Sequence, residues 1–219
     1  PLLEYVDREA LQTELVARPA KEGDLAVSML STGRPLPNVQ IRILDENGQA
    51  LPDRRVGEVA LHSDCMLKEY YRRPDATEKA FHDGWYLTGD YGYTVNGELF
   101  INGRKKDLII VGGKNIYPQD LELLAGEVEG VHPGRVVAFG VFNQESGTED
   151  VVMVAEVETT DEEEREHVAD KIRQVVTRGS AVALRHVQVV GAHWLIKTSS
   201  GKIARSANRD KFLAEFGLG

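Results

Sequence analysis

The chain has 219 residues, of which 42% are hydrophobic and 28% are charged. These values are typical of a globular protein, and the length is sufficient for one large domain or two small ones. The net charge of −9 argues against a nucleic-acid-binding role, because no basic stripe supplies phosphate contacts. We expect no membrane span, because no stretch approaches the roughly eighteen apolar residues that one needs.

Two further features concern the cellular context. Cys65 is the only cysteine and cannot form an internal disulfide, which favours a reducing, cytoplasmic compartment. The chain opens with "PLLEYVDREALQ" and has no initiator methionine. We therefore expect a fragment whose targeting signals, if any, lie upstream.

The first half of the chain predicts mainly strands. Apolar residues alternate in residues 39–44 ("VQIRIL"), and residues 56–63 and 97–104 predict two more strands. A short helix is predicted near Pro74, which suits a first helical turn. Short strands separated by glycine and proline predict a small distorted barrel or sheet.

The second half predicts a compact α+β domain. Its expected order is a strand pair, a helix beginning at Pro118, strands, a long helix, a strand and a short helix. Thr160 or Asp161 can cap the long helix, and the acidic run that follows suits its positive end. The buried stripe of this helix is predicted to comprise Val168, Ile172, Val175 and Val176.

A lysine follows glycine in "KTSSGKIAR" at residues 197–205. A Walker loop is excluded, because Ile196 and Ile203 stand where glycine and Ser or Thr are required. Lys202 is therefore either a surface residue on a flexible turn or a lysine presented for chemistry.

Two other segments contain candidate polar groups. "GWYLTGD" at 84–90 predicts a strand ending in a glycine turn that carries Asp90. This carboxylate either bonds its own backbone or accepts two hydrogen bonds from a vicinal diol such as ribose. "GRKKDLIIVGGKN" at 103–115 begins with Arg104, which alone would be an exposed linker charge.

These three segments, together with "YPQDLE" at 117–122, resemble the closing motifs of the acyl-adenylate-forming superfamily in order and spacing. The superfamily includes acyl-CoA synthetases, fatty acyl-AMP ligases, peptide-synthetase adenylation domains and luciferases. The resemblance covers nearly the whole chain and is greatest to the fatty acyl-AMP ligases. It implies that residues 1–103 are the last subdomain of a large N-terminal domain, and that residues 104–219 are a mobile C-terminal domain.

The resemblance also implies a reaction. ATP and a fatty acid would give an acyl-adenylate, and the acyl group would then pass to the phosphopantetheine of an acyl carrier protein. Asp90 would bind the ribose hydroxyls with support from Arg104, and Ile101 would pack near the adenine. Lys202 would neutralise charge on the carboxylate and the α-phosphate.

Three more residues acquire roles from the resemblance. Lys106 would be the hinge about which the C-terminal domain turns. Gly112 and Gly113 would allow the phosphopantetheine arm to approach the backbone, because they lack side chains. A simple hairpin bend at these two glycines is an equal alternative.

The sequence departs from the family pattern in two ways. Ile196 replaces the usual proline, which predicts a looser turn before Lys202. The phosphate loop ending in Pro-Lys-Gly is missing, and the closest string, "LSTGRP" at 30–35, predicts an ordinary turn. The magnesium ligands are also expected outside this chain, so we predict no metal ligand here and no activity for the chain alone.

Two alternative functions remain open. One is a long- or medium-chain acyl-CoA synthetase of the same superfamily, with CoA as the acceptor. The other is a non-catalytic interaction module that has kept the fold. The presence of Asp90, Arg104 and Lys202 counts against the second, because a binding module has no need of these three groups.

Overall fold

The computed structural model describes residues 2–217. The chain divides into two compact units, the first ending at Lys106 and the second beginning at Asp107. The sequence predicts this boundary three residues earlier, between residues 103 and 104.

The first unit is built on one antiparallel sheet with two short helices, α1 (Arg8–Thr13) and α2 (Pro74–Ala80). Its strands are β1 (Leu3–Asp7), β2 (Ala26–Gly33), β3 (Val39–Leu44), β4 (Gly57–Ser63), β5 (Phe81–His82), β6 (Trp85–Val95) and β7 (Glu98–Arg104). The strand order is β1-β2-β7-β6-β4-β3, and β5 pairs with β6. Within residues 2–217, β1 and β3 form free edges, so the sheet is open and the predicted barrel alternative is wrong.

Two local predictions in this unit are wrong. The strand that carries "GWYLTGD" does not end at Asp90 but continues to Val95, because β6 pairs with both β4 and β7. "LSTGRP" is not simply a turn, because its first four residues lie in β2. In both places pairing with neighbouring strands overrides the local preference of glycine for a turn.

The second unit contains every remaining element, in the predicted order. These elements are β8 (Ile109–Val111), β9 (Lys114–Ile116), α3 (Pro118–Gly126), β10 (Val131–Asn143), β11 (Thr148–Val157), α4 (Glu162–Ser180), β12 (His186–Gly191) and α5 (Arg205–Phe216). β8 and β9 form a hairpin, and β11 lies between antiparallel β10 and parallel β12. The whole chain therefore has a mixed α/β fold.

The core of the second unit lies on both faces of β11. Leu121 of α3 and Ile172 of α4 pack with one set of its side chains, and Phe212 of α5 packs with the other. Asp161 caps α4, its Oδ1 accepting a hydrogen bond from Glu163 N. Val175 is 37% exposed, so its assignment to the buried stripe is wrong: the stripe follows Val168, Ile172 and Val176 at four-residue spacing.

The described helices also bear on membrane association. Across residues 2–217, each helix is too short or too polar to cross a lipid bilayer.

Candidate functional site

Asp90 lies on an irregular part of β6. Ala60 pairs with Leu87 and Glu58 with Tyr91, so β6 has extra residues opposite β4 at this point. Thr88 stabilises this bulge: its Oγ1 donates to Val59 O at 2.8 Å and accepts from Asp90 N at 3.1 Å. Such bulges commonly redirect a side chain out of a sheet.

Arg104 is the direct cross-strand partner of Asp90 in the β6–β7 pairing. Its Nε lies 2.9 Å from Asp90 Oδ1, and the two side chains are 54% and 29% exposed, respectively. An ion pair this exposed contributes little to stability, so its main effect is to orient the carboxylate. A carboxylate has about four acceptor positions, so Asp90 can pair with Arg104 and still accept two hydroxyl groups.

Tyr86, which none of the motifs indicates, extends the polar surface around this pair. Tyr86, Thr88 and Asp90 are every second residue along β6. The hydroxyl of Tyr86 lies 3.2 Å from that of Tyr70. The hydrogen bond to Tyr70 is the main cause that raises the pKa of Tyr86 above its ordinary value, and burial is the second cause. Tyr86 is therefore a neutral hydrogen-bonding phenol at physiological pH.

Ile101 and Asn102 lie side by side on β7. Ile101 is half-buried and pairs with Gly92 of β6. Asn102 is 9% exposed, and neither polar atom of its side chain has a hydrogen-bond partner among residues 2–217. Buried amides are normally satisfied, so this unpaired amide is a candidate binding group that the motifs did not indicate.

Lys202 is exposed on a hairpin in the second unit. The arms of this hairpin meet where Lys197 bridges Ile203, and Thr198 N donates to Lys202 O at 2.8 Å. Lys202 N in turn donates to Thr198 Oγ1 at 3.2 Å. The turn that carries this lysine is therefore closed by its own hydrogen bonds.

Ile196 lies at the base of this hairpin and is held by a side chain of α5. Its N–H donates to Asn208 Oδ1 at 2.8 Å, a bond that a proline could not make. Isoleucine at this position therefore provides a backbone contact before the hairpin.

Gly112 and Gly113 form the turn between β8 and β9. Their φ angles are +56° and +81°, which other residues adopt only with strain, so the hairpin itself requires glycine. A Cβ on either glycine would meet nothing within 4 Å. The turn is thus open to an approaching ligand, and its conformation alone accounts for both glycines.

Lys106 is exposed in a single 3-10 turn, Lys105–Asp107. On one side, Lys105 Nζ lies 2.8 Å from Glu58 Oε2 of the first unit. On the other, Asp107 Oδ2 lies 2.6 Å from Arg205 Nη1 of the second unit. Each neighbour of Lys106 is therefore held within its own unit.

Metal ligation is not evident in the described part of the chain. No group of three or more His, Cys, Asp or Glu side chains within residues 2–217 is arranged to hold a metal ion.

Comparison with known proteins identifies the family. The AMP-binding enzyme family matches residues 12–71. A Caulobacter vibrioides protein provisionally named an acyl-CoA synthetase is 35% identical over 96% of this chain and 37% of its own length. The medium-chain-fatty-acid–[acyl-carrier-protein] ligase JamA of Moorena producens is 35% identical over 94% of this chain and 37% of its own length. This chain belongs to the acyl-adenylate-forming superfamily.

Solved structures of superfamily members have the same fold. One from a study of fatty acyl-adenylate ligases of E. coli and L. pneumophila is 29% identical, covers 98% of this chain and 38% of its own, and gives a TM-score of 0.86. The ATP-bound structure of MatB from Rhodopseudomonas palustris is 27% identical, covers 86% of this chain and 36% of its own, and gives a TM-score of 0.71. Homologues in the superfamily therefore bind ATP, and this chain spans little more than a third of the relatives that it matches.

Proposed function

We propose that the longer protein containing this chain is a fatty acyl-AMP ligase. It uses ATP and Mg²⁺ to activate a fatty acid and transfers the acyl group to the phosphopantetheine of an acyl carrier protein. The observation that carries the proposal is the pairing of Asp90 with Arg104, which leaves an oriented carboxylate able to accept a diol. The proposed compartment is the cytoplasm, where the exposed free thiol of Cys65 stays reduced.

The first half-reaction forms the acyl-adenylate. A carboxylate oxygen of the fatty acid attacks the α-phosphorus of ATP, and pyrophosphate leaves. Asp90 accepts hydrogen bonds from the ribose hydroxyls, while Ile101 packs near the adenine. The Lys202 ammonium neutralises charge that gathers on the carboxylate and α-phosphate oxygens in the transition state. Mg²⁺ would be held by residues outside this chain.

The second half-reaction transfers the acyl group. The thiolate of phosphopantetheine attacks the acyl carbonyl carbon, and AMP leaves. Gly112 and Gly113 present an open backbone turn along which the phosphopantetheine arm approaches. Lys106 is the proposed hinge about which the second unit turns between the two half-reactions.

The closest alternative is an acyl-CoA synthetase, which the relative from Caulobacter vibrioides favours. The purified longer protein should be given ATP, a panel of fatty acids, and either CoA or an acyl carrier protein, and its products identified by mass spectrometry. We expect acyl-AMP and acylated carrier protein. Acyl-CoA as the main product would favour the synthetase, and the absence of AMP and pyrophosphate would favour a non-catalytic module.

The 219-residue chain alone is proposed to be inactive, because the phosphate loop of the family pattern is missing from its sequence. ATP–pyrophosphate exchange with mixed fatty acids measures this directly. Clear turnover by the pure chain would show that the residues needed for adenylation are all present within it.

A further inference from the structure

The hairpin that carries Lys202 is held by hydrogen bonds at two successive residues at its base. Ile196 and Ala204 flank its arms, and Ala204 N donates to Ile196 O at 3.0 Å. The direction in which Lys202 projects therefore depends on what fixes Leu195 and Ile196. The backbones of both residues are hydrogen-bonded to buried side chains of other elements.

Asn208 of α5 is the first of these side chains and is 0% exposed. Its Oδ1 accepts from Ile196 N at 2.8 Å, and its Nδ2 donates to Ile196 O and to Ala204 O, both at 2.9 Å. One amide thus joins the two ends of the hairpin. A carboxylate of the same shape could accept but could not donate, so it could not reproduce this set of bonds.

Glu156 of β11 is the second buried side chain, with 1% exposure. Its Oε1 accepts from Leu195 N at 2.6 Å, and its Oε2 lies 3.1 Å from Arg135 Nη1. The residue before Ile196 is therefore fixed as well. Buried polar groups that are satisfied by hydrogen bonds in this way specify one local arrangement, because any other arrangement would leave them unsatisfied.

We propose that Asn208 is a positioning residue for Lys202. It holds the base of the hairpin so that the ammonium group projects in the direction needed for adenylation. This inference rests on the proposed function, in which Lys202 acts in the first half-reaction. Asn208 itself touches no substrate, and its effect passes through the backbone of Ile196 and Ala204.

The test uses Asn208→Asp in the longer protein, with Lys202→Ala and the double variant. We expect Asn208→Asp to lower kcat for adenylation by about tenfold or more, with KM for ATP and fatty acid changed less than about twofold. Thiol transfer from supplied acyl-adenylate should stay within about twofold of wild type. In the Lys202→Ala background, Asn208→Asp should cause little further loss, because both changes remove the same interaction.

Ser180→Ala is the matched control. Ser180 is 1% exposed and bonds Val176 O and Val182 N at the end of α4, away from the hairpin in sequence. It should lower the melting temperature without changing the ratio of the two half-reactions. Asn208→Ala, which places no charge in the core, replaces Asn208→Asp if that variant fails to fold.

Hydrogen exchange of the peptide containing residues 195–204, followed by mass spectrometry, supplies a readout that does not depend on activity. Asn208→Asp should speed exchange there, and Ser180→Ala should not. Unchanged exchange, equal loss of both half-reactions, or additive losses in the double variant would each overturn the inference. If Lys202→Ala adenylates at the wild-type rate, Lys202 has no role in the first half-reaction, and the positioning role of Asn208 is then also wrong. The exchange data would then still decide whether Asn208 holds the hairpin.

Discussion

Lys202 is the residue whose proposed contribution differs most between the two half-reactions. Lys202→Ala should slow adenylation by several orders of magnitude, because a charge contact made mainly in the transition state is lost. Thiol transfer from supplied acyl-adenylate should survive far better. The two steps can be measured separately by pyrophosphate exchange and by acylation of the carrier protein.

Lys197→Ala serves as the control for this comparison. Lys197 is also exposed and lies at the base of the same hairpin, so its removal matches the change in charge. It should leave adenylation near the wild-type rate. Equal damage to both half-reactions by Lys202→Ala would remove Lys202 from its assigned role.

At this scale, only part of the arrangement could be predicted from the sequence. Arg104 follows Asp90 by fourteen residues, and the turn between β6 and β7 brings them together, a local event that patterns can suggest. The bond between Asn208 and Ile196 depends instead on how α5 packs against the sheet. No spacing rule predicts that contact, so the sequence alone gives no sign that the backbone N–H of residue 196 is used.

Among the elements, α1 depends on the cap that Asp7 supplies. Its Oδ1 accepts from Glu9 N and Ala10 N, and its Oδ2 accepts from Arg18 Nη2 at 2.8 Å. Asp7→Ala should lower the free energy of unfolding of the first unit by about 1 kcal/mol, the usual cost of a lost N-cap. Urea unfolding followed by Trp85 fluorescence in a Trp194→Phe background reports on this unit alone.

The same cap predicts a dependence on pH. The hydrogen bond from Arg18 is the main cause that lowers the pKa of Asp7 below its ordinary value of 3.8. Stability from this carboxylate is therefore complete above about pH 4 and is lost as the pH falls through the lowered pKa. The difference between wild type and Asp7→Ala should shrink there, and a constant difference down to low pH would contradict the ionic contribution.

The β8–β9 turn offers a test of the proposed thiol step. Gly112→Ala introduces a Cβ at a φ of +56° into open space, so we expect a cost of about 1–2 kcal/mol from backbone strain alone. If phosphopantetheine passes this turn, thiol transfer should fall several-fold while adenylation changes little.

Gly134→Ala is a closely matched control for that variant. Gly134 has a φ of +65°, lies in the second unit, and likewise has nothing within 4 Å of an added Cβ. Similar losses of stability are expected in both variants. Similar rates of thiol transfer would mean that the glycines serve the hairpin and nothing more.

A helical periodicity sustained over many residues predicts an element well, whereas a local turn signal predicts poorly where pairing between strands decides the structure. The periodicity of α4 predicts its buried stripe correctly except at Val175, which lies just beside that stripe. In contrast, β6 runs through Gly89 because strands on both sides supply partners, which a local turn signal cannot reveal.

In the whole molecule, the proposed hinge at Lys106 can be tested by restricting its backbone. Proline fixes φ near −65°, a value that fits a 3-10 turn, so Lys106→Pro should be tolerated in one orientation of the second unit. We expect this variant of the longer protein to keep one half-reaction, adenylation, and to lose most of the other. Separate assays of the two steps measure this.

Lys106→Ala and a melting curve complete that experiment. Alanine removes the side chain but leaves φ and ψ free to change, so both half-reactions should continue. If the well-folded Lys106→Pro protein also performs both at near wild-type rates, Lys106 is an ordinary linker residue and the rotation axis lies elsewhere.

The ion pairs on either side of Lys106 also define where chimeric enzymes can be joined. Asp107 and Arg205 should come from the same parent protein. Arg205 pairs with Asp107 and also bonds Glu122 and Ala138 O within the second unit. A graft that begins at Asp107 carries this whole network with it, and Lys105 stays with Glu58. A junction only one residue later would leave Arg205 facing a foreign side chain. The usable crossover points for exchanging second units among relatives are thus the two peptide bonds that flank Lys106.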